Sequence, residues 1–139
     1  MKVVLDTNVL ISALLWDGRV SKLLPLIRSD KLILCFSLET ISEFVDVAKR
    51  PKFSKRLARK KFTPQRIVDE ILYPNSKIFV LERQFPILSK DPSDDKFIHL
   101  AVLAKAKYIV SGDKVLLELK EYKGVKILSV EEFLKFFSK

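Results

Sequence analysis

The sequence predicts an α/β domain with a central, mainly parallel five-stranded sheet flanked by helices. Three observations carry this reading. Short aliphatic runs alternate with longer segments of helical period. Helix-start signals follow directly on strands or loops. The 139 residues are 48% apolar, enough for one sizeable core, so a single domain spanning 1–139 is expected.

The elements follow in order. The strand runs are Lys2 to Leu5, Leu32 to Phe36, Ile78 to Leu81, Tyr108 to Val110 and Val125 to Leu128. Ser37 precedes a helical segment from Leu38 to Lys49, and Thr63 precedes Pro64 at a first helical position. Ser129, with Glu132 three residues on, forms a capping-box pattern. From about Asp94 to Ala106, Phe97, Ile98, Ala101, Val102 and Ala104 recur at helical spacing, so one face packs on the sheet. The stretch Lys49 to Lys61 holds eight basic residues and no acidic one, with Phe53, Leu57 and Phe62 interleaved, and reads as a helical elaboration between the second and third strands.

Composition narrows the partners. Lysine and arginine total 26 against 17 acidic residues, a formal charge of +9, which favours a polyanion such as nucleic acid. The single cysteine, Cys35, excludes an internal disulfide framework and a cysteine-based zinc site, and it points to a reducing cytoplasm. No run approaches the roughly 18 apolar residues of a membrane span, and no leader signal is visible, so neither secretion nor membrane insertion is expected.

In a parallel α/β sheet, ligands gather beyond the carboxyl ends of the strands. Asp6 ends the first run, Asp113 follows the fourth, and Asp91, Asp94 and Asp95 crowd the approach to the helix before the fourth run. Glu39, Glu43 and Asp46 lie on the helix after the second, and periodicity does not choose among them. Singly, such acids are ordinary caps and turn residues. Crowded at one sheet edge, they repel one another unless a cation neutralises them. Oxygen-only donors indicate Mg²⁺ or Mn²⁺ rather than zinc, and that is the chemistry of metal-assisted phosphodiester hydrolysis.

Four ordered stretches, Val4-Leu5-Asp6-Thr7-Asn8-Val9-Leu10-Ile11-Ser12, Ser42-Glu43-Phe44, Asp91-Pro92-Ser93-Asp94-Asp95-Lys96-Phe97 and Ser111-Gly112-Asp113-Lys114, resemble the PIN domain. The likeness is nearest to the VapC-like toxins of prokaryotic toxin-antitoxin pairs. It implies a Mg²⁺- or Mn²⁺-dependent endoribonuclease that leaves 5′-phosphate and 3′-hydroxyl ends, a cognate antitoxin and a homodimer. Position by position, the resemblance puts the acidic quartet on Asp6, Glu43, Asp95 and Asp113. Asn8 matches the asparagine that helps hold the first aspartate, and Ser111 stands where a hydroxyl usually lines the site. Asp91 and Asp94 stand as supporting candidates. Close relatives often carry a further acid where this chain has Val115, which bears on metal stoichiometry.

The basic stretch offers Arg50, Lys52, Lys55, Arg56, Arg59, Lys60 and Lys61 as an RNA-phosphate track, against the plainer reading of a solvated helix face. Lone His99 reads as a structural helix residue, Cys35 as a small buried one, Trp16 as a packing or subunit contact, and Phe133, Phe136 and Phe137 as core or dimer contacts. A haloacid-dehalogenase-like phosphatase needs an acid where Asn8 stands, and a response-regulator receiver needs an acidic pair after the first strand; both patterns are absent. The alternative to a nuclease is a PIN-fold RNA- or antitoxin-binding module with weak turnover.

Overall fold

The computed structural model describes residues 1–15, 22–29, 31–80 and 94–136. Trp16, Asp91 and Phe137 lie outside them. In chain order the elements are β1 (Lys2–Leu5), α1 (Thr7–Leu15), α2 (Leu23–Arg28), β2 (Ile33–Ser37), α3 (Leu38–Ala48), α4 (Pro51–Arg59) and α5 (Pro64–Ile67). A π-helical stretch, Val68–Leu72, and a 3₁₀ turn, Tyr73–Asn75, lead into β3 (Ser76–Phe79). Then come α6 (Asp95–Ala104), β4 (Tyr108–Val110), α7 (Lys114–Leu119), β5 (Glu121–Tyr122), β6 (Val125–Leu128) and α8 (Val130–Lys135).

The strands form one sheet in the order β3-β2-β1-β4-β6-β5, every pairing parallel except β5 with β6. Among the described residues the sheet therefore has six strands, not the five expected. The additional strand is the short arm of a hairpin whose two-residue loop, Lys123 and Gly124, has φ of 46° and 84°. Two successive positive φ values twist with the flanking strands, and Gly124 supplies one at no steric cost. A two-residue strand is too short to show alternation, which is why apolar patterning passes over it.

Side chains alternate across the sheet and divide the core in two. Val3, Leu5, Leu34, Phe36 and Val110 pack with α1 to α5 and with Phe133 of α8. Val4, Cys35, Ile109 and Ile127 pack on the opposite face against Phe97, Ile98, Leu100 and Ala101 of α6 and Leu116 of α7. Helix ends obey local chemistry. Ser37 and Thr40 form a capping box at the start of α3, and Ser129 and Glu132 form one at the start of α8. Thr63 caps α5, with Pro64 at its first position. The basic stretch is indeed helical: α4 buries Leu57 and leaves its lysines and arginines exposed.

The strand order reverses at β1 and β4, the two neighbours from which the sheet grows in opposite directions. Such a reversal opens a crevice at the carboxyl ends, because the following connections leave toward opposite faces. Here β1 feeds α1 on one face and β4 leads to α7 on the other. Leu5 is paired with Val110, so the next residues, Asp6 and Ser111, emerge side by side.

Candidate active site

Asp6 is anchored at this edge through both its backbone and its side chain. Its backbone N–H donates to the Val110 carbonyl at 3.1 Å, continuing the ladder one residue past β1. Its Oδ1 accepts the Val9 N–H at 2.8 Å, so the side chain caps α1, and its Oδ2 accepts the Ser111 hydroxyl. Ser111, fully buried, also accepts the Asp113 N–H at 2.9 Å. Asp113 Oδ1 in turn accepts the Val115 N–H at 2.7 Å and caps α7.

Burial pushes the Asp6 carboxyl above its usual range. The Ser111 hydroxyl and the N–H groups of Val9 and Gly112 pull it back, while the charge of Asp113 pushes it up again. Asp6 and Asp113 open onto one cavity of about 320 Å³, also lined by Asn8, Val9, Ser12, Gly112 and Val130. Asn8 is exposed on its wall; the contacts that hold Asp6 come from Val9 and Ser111.

Glu43 reaches the same edge through Thr7, the residue after Asp6. It projects from α3 next to buried Phe44 and is half-buried, whereas Glu39 and Asp46 are exposed. The Thr7 hydroxyl donates to Glu43 Oε2, and Lys96 Nζ donates to Oε1 at 2.8 Å. Asp94 and Asp95 are both buried where α6 begins. All four elements of the expected quartet thus meet at one edge. Among the described residues, however, no three His, Cys, Asp or Glu side chains gather closely enough to hold a metal ion. The structure brings Asp6 and Asp113 to one cavity, whereas Glu43 and Asp95 reach the same edge on α3 and at the start of α6 without closing into a cluster.

Thr7 and Lys96 escaped the sequence reading. The available signal was positional: each directly follows an acid at a helix start. The remaining candidates are plainly placed. Lys52 lies over the Phe53 ring at 5.4 Å, Lys60 Nζ donates to the Leu14 carbonyl at 3.3 Å near the end of α1, and Lys55 and Arg59 are exposed. His99 is half-buried one turn along α6 from Asp95. Cys35 is buried and its thiol is pushed up to about 11 by that burial, which disfavours the thiolate. Phe133 is core, whereas Phe136 is 54% exposed and stacks on Tyr108 at 5.3 Å.

The sequence matches the PIN domain over residues 2–115, a span that contains Asp6, Glu43, Asp95 and Asp113. The chain belongs to the PIN domain family. It is similar to the uncharacterized protein MJ1680 of Methanocaldococcus jannaschii, 35% identical over 156 aligned residues that cover 99% of this chain and 95% of that one. Among solved structures it is similar to a chain in the crystal structure of VapBC2 from Rickettsia felis bound to a DNA fragment from their promoter. That match has a TM-score of 0.56 and 14% identity, and covers 93% of this chain and 98% of the other. At this identity the likeness is one of fold. Among the described residues no helix is long and apolar enough to cross a membrane.

Proposed function

We propose that this chain is a Mg²⁺- or Mn²⁺-dependent endoribonuclease of the cytoplasm, the VapC-like toxin of a toxin-antitoxin pair, working as a homodimer. The observation that carries the reading is the Asp6–Asp113 pair. Two carboxylates share a cavity at the strand-order reversal, and one of them is buried with a raised proton affinity. A buried carboxylate beside a second carboxylate gains most from a hard cation, and among the described residues the polar side chains lining the cavity are those of Asp6, Asn8, Ser12 and Asp113, all with oxygen donors. The donor set therefore fits the family's metal. Asp6 and Asp113 would hold it, with Glu43 and Asp95 joining from α3 and α6. When bound, it supplies an activated water and neutralises charge on the scissile phosphate.

The chain's own groups set the stage. Ser111 and the Val9 N–H fix both oxygens of Asp6, so the carboxylate is oriented before any ligand arrives. Asp113 is held by its own helix start. The +9 charge draws in the polyanion, and the basic face of α4 guides it. The Lys60 ammonium, just past α4, reaches the Leu14 carbonyl near the far end of nine-residue α1, on the order of 13 Å along that helix from Asp6. Membership of the PIN family and a fold like that of a VapBC2 chain support the toxin assignment and an antitoxin partner.

The test is incubation of purified protein with a long single-stranded RNA in Mg²⁺, in Mn²⁺ and in chelator. Internal cuts bearing 5′-phosphates in metal alone are expected. RNA binding without cutting under all three conditions would favour the binding-module alternative.

A further inference from the structure

Glu43 is gripped from both sides of the sheet. Thr7, on α1, donates to one oxygen, and Lys96, on α6, pairs with the other at 2.8 Å. The helices α3 and α6 pack on opposite faces, so this ion pair crosses the carboxyl edge between residues 53 positions apart. It differs in kind from Arg66–Glu70, an i,i+4 pair whose side chains are 52% and 49% exposed. Those of Lys96 and Glu43 are only 27% and 25% exposed, so water screens them less.

We propose that Lys96 is a positioning residue of the acidic site: its ammonium holds Glu43 and competes for that carboxylate with the divalent cation, which must displace it to recruit Glu43. The inference rests on the metal-dependent reading above. Glu43 has two oxygens, one accepting from Thr7 and the other from Lys96, so a cation reaching Oε1 meets an ammonium already there. A site whose ligand is engaged elsewhere binds with an affinity reduced by the fraction of time that the ligand is free. Lys96 also directly follows Asp95, so one short stretch of α6 carries both a candidate ligand and its competitor.

The experiment is calorimetric titration of Mn²⁺ into wild-type protein, Lys96→Met, Lys96→Arg and Lys114→Met, with thermal melts of each in chelator and in Mn²⁺. Lys114 also directly follows an acid and is exposed, so its loss removes an equal charge without touching the pair. Lys96→Met is expected to bind Mn²⁺ about two- to fivefold more tightly. It should melt lower than wild type in chelator, and Mn²⁺ should raise its melting temperature by more. Lys96→Arg should behave as wild type and Lys114→Met should change affinity less than Lys96→Met. Unchanged or weaker Mn²⁺ binding by Lys96→Met, or equal tightening by Lys114→Met, overturns the inference while leaving the metal reading intact. Absence of Mn²⁺ uptake by wild-type protein overturns both.

Discussion

The Ser111 hydroxyl donates to Asp6 Oδ2 and accepts the N–H of Asp113, so one buried oxygen ties together the two carboxylates that face the cavity. This link exists because β1 and β4 are neighbours in register and each continues one residue past its last ladder pair. Ser111→Ala should therefore cost stability and shift chemistry together. Losing a buried hydrogen bond to a charged group costs about 1.5–3 kcal/mol, to be read by chemical denaturation. Because Ser111 holds the Asp6 carboxyl down, its removal should move the acid limb of the pH–rate profile to higher pH. An unmoved limb would show that Asp6 does not titrate in the reaction.

Asp6 also sets a pH dependence of stability. Its folded-state carboxyl lies above the unfolded value of about 3.9, so in the window between them the folded protein binds more protons than the unfolded one. Stability from this group is present below that window and lost as pH rises through it. In chelator, Asp6→Asn is expected to melt a few degrees above wild type at pH 7.5, with the gap closing near pH 4. Melts at the two pH values check this, and a variant that melts lower at pH 7.5 would contradict it.

Asp113 has two separable roles. Asp113→Ala removes both the α7 cap and a candidate ligand, and should cost about 1 kcal/mol. Asp113→Asn keeps an oxygen for the Val115 N–H and should retain that stability while losing RNA cleavage. Equal stability of the two variants would remove the capping argument.

Much of this was legible in the sequence. Four of the five strand runs, the caps at Ser37, Thr63 and Ser129 and the acids beyond β1 and β4 are local signals, and local chemistry decides them, whereas the third strand, expected from Ile78 to Leu81, runs over Ser76–Phe79, with Leu81 outside the described residues. The β5 arm was not, since its register comes from a turn and not from apolar alternation. The grip on Glu43 was hidden as well: Thr7, Glu43 and Lys96 are remote in sequence and meet only because three helices converge on one edge. Choosing Glu43 over Glu39 and Asp46 likewise required a family pattern, because one exposed face of α3 differs from its half-buried flank only after packing.

The basic helix predicts a salt effect. If Lys55, Arg56 and Arg59 contact RNA phosphates, changing all three to Ala should lower the log–log salt slope of binding by about 2 units. Affinity should fall alike for unrelated RNA sequences. Lys60→Ala should act differently, with a smaller change in slope and a slight loss of stability, because its ammonium caps α1 at Leu14. Fluorescence titrations across a salt series decide it, and identical slopes would leave α4 a solvated face.

On the proposed nuclease reading, the buried carboxylate ending β1 carries the chemistry. This is tested most directly by RNA cleavage in Mn²⁺ with wild-type and Asp6→Asn protein, side by side, after melts show both folded. Metal-dependent cutting by wild type is expected, with a loss of at least about a hundredfold in Asp6→Asn, the scale of removing one charge-stabilising group from an active site. Cutting by Asp6→Asn at the wild-type rate would contradict that reading.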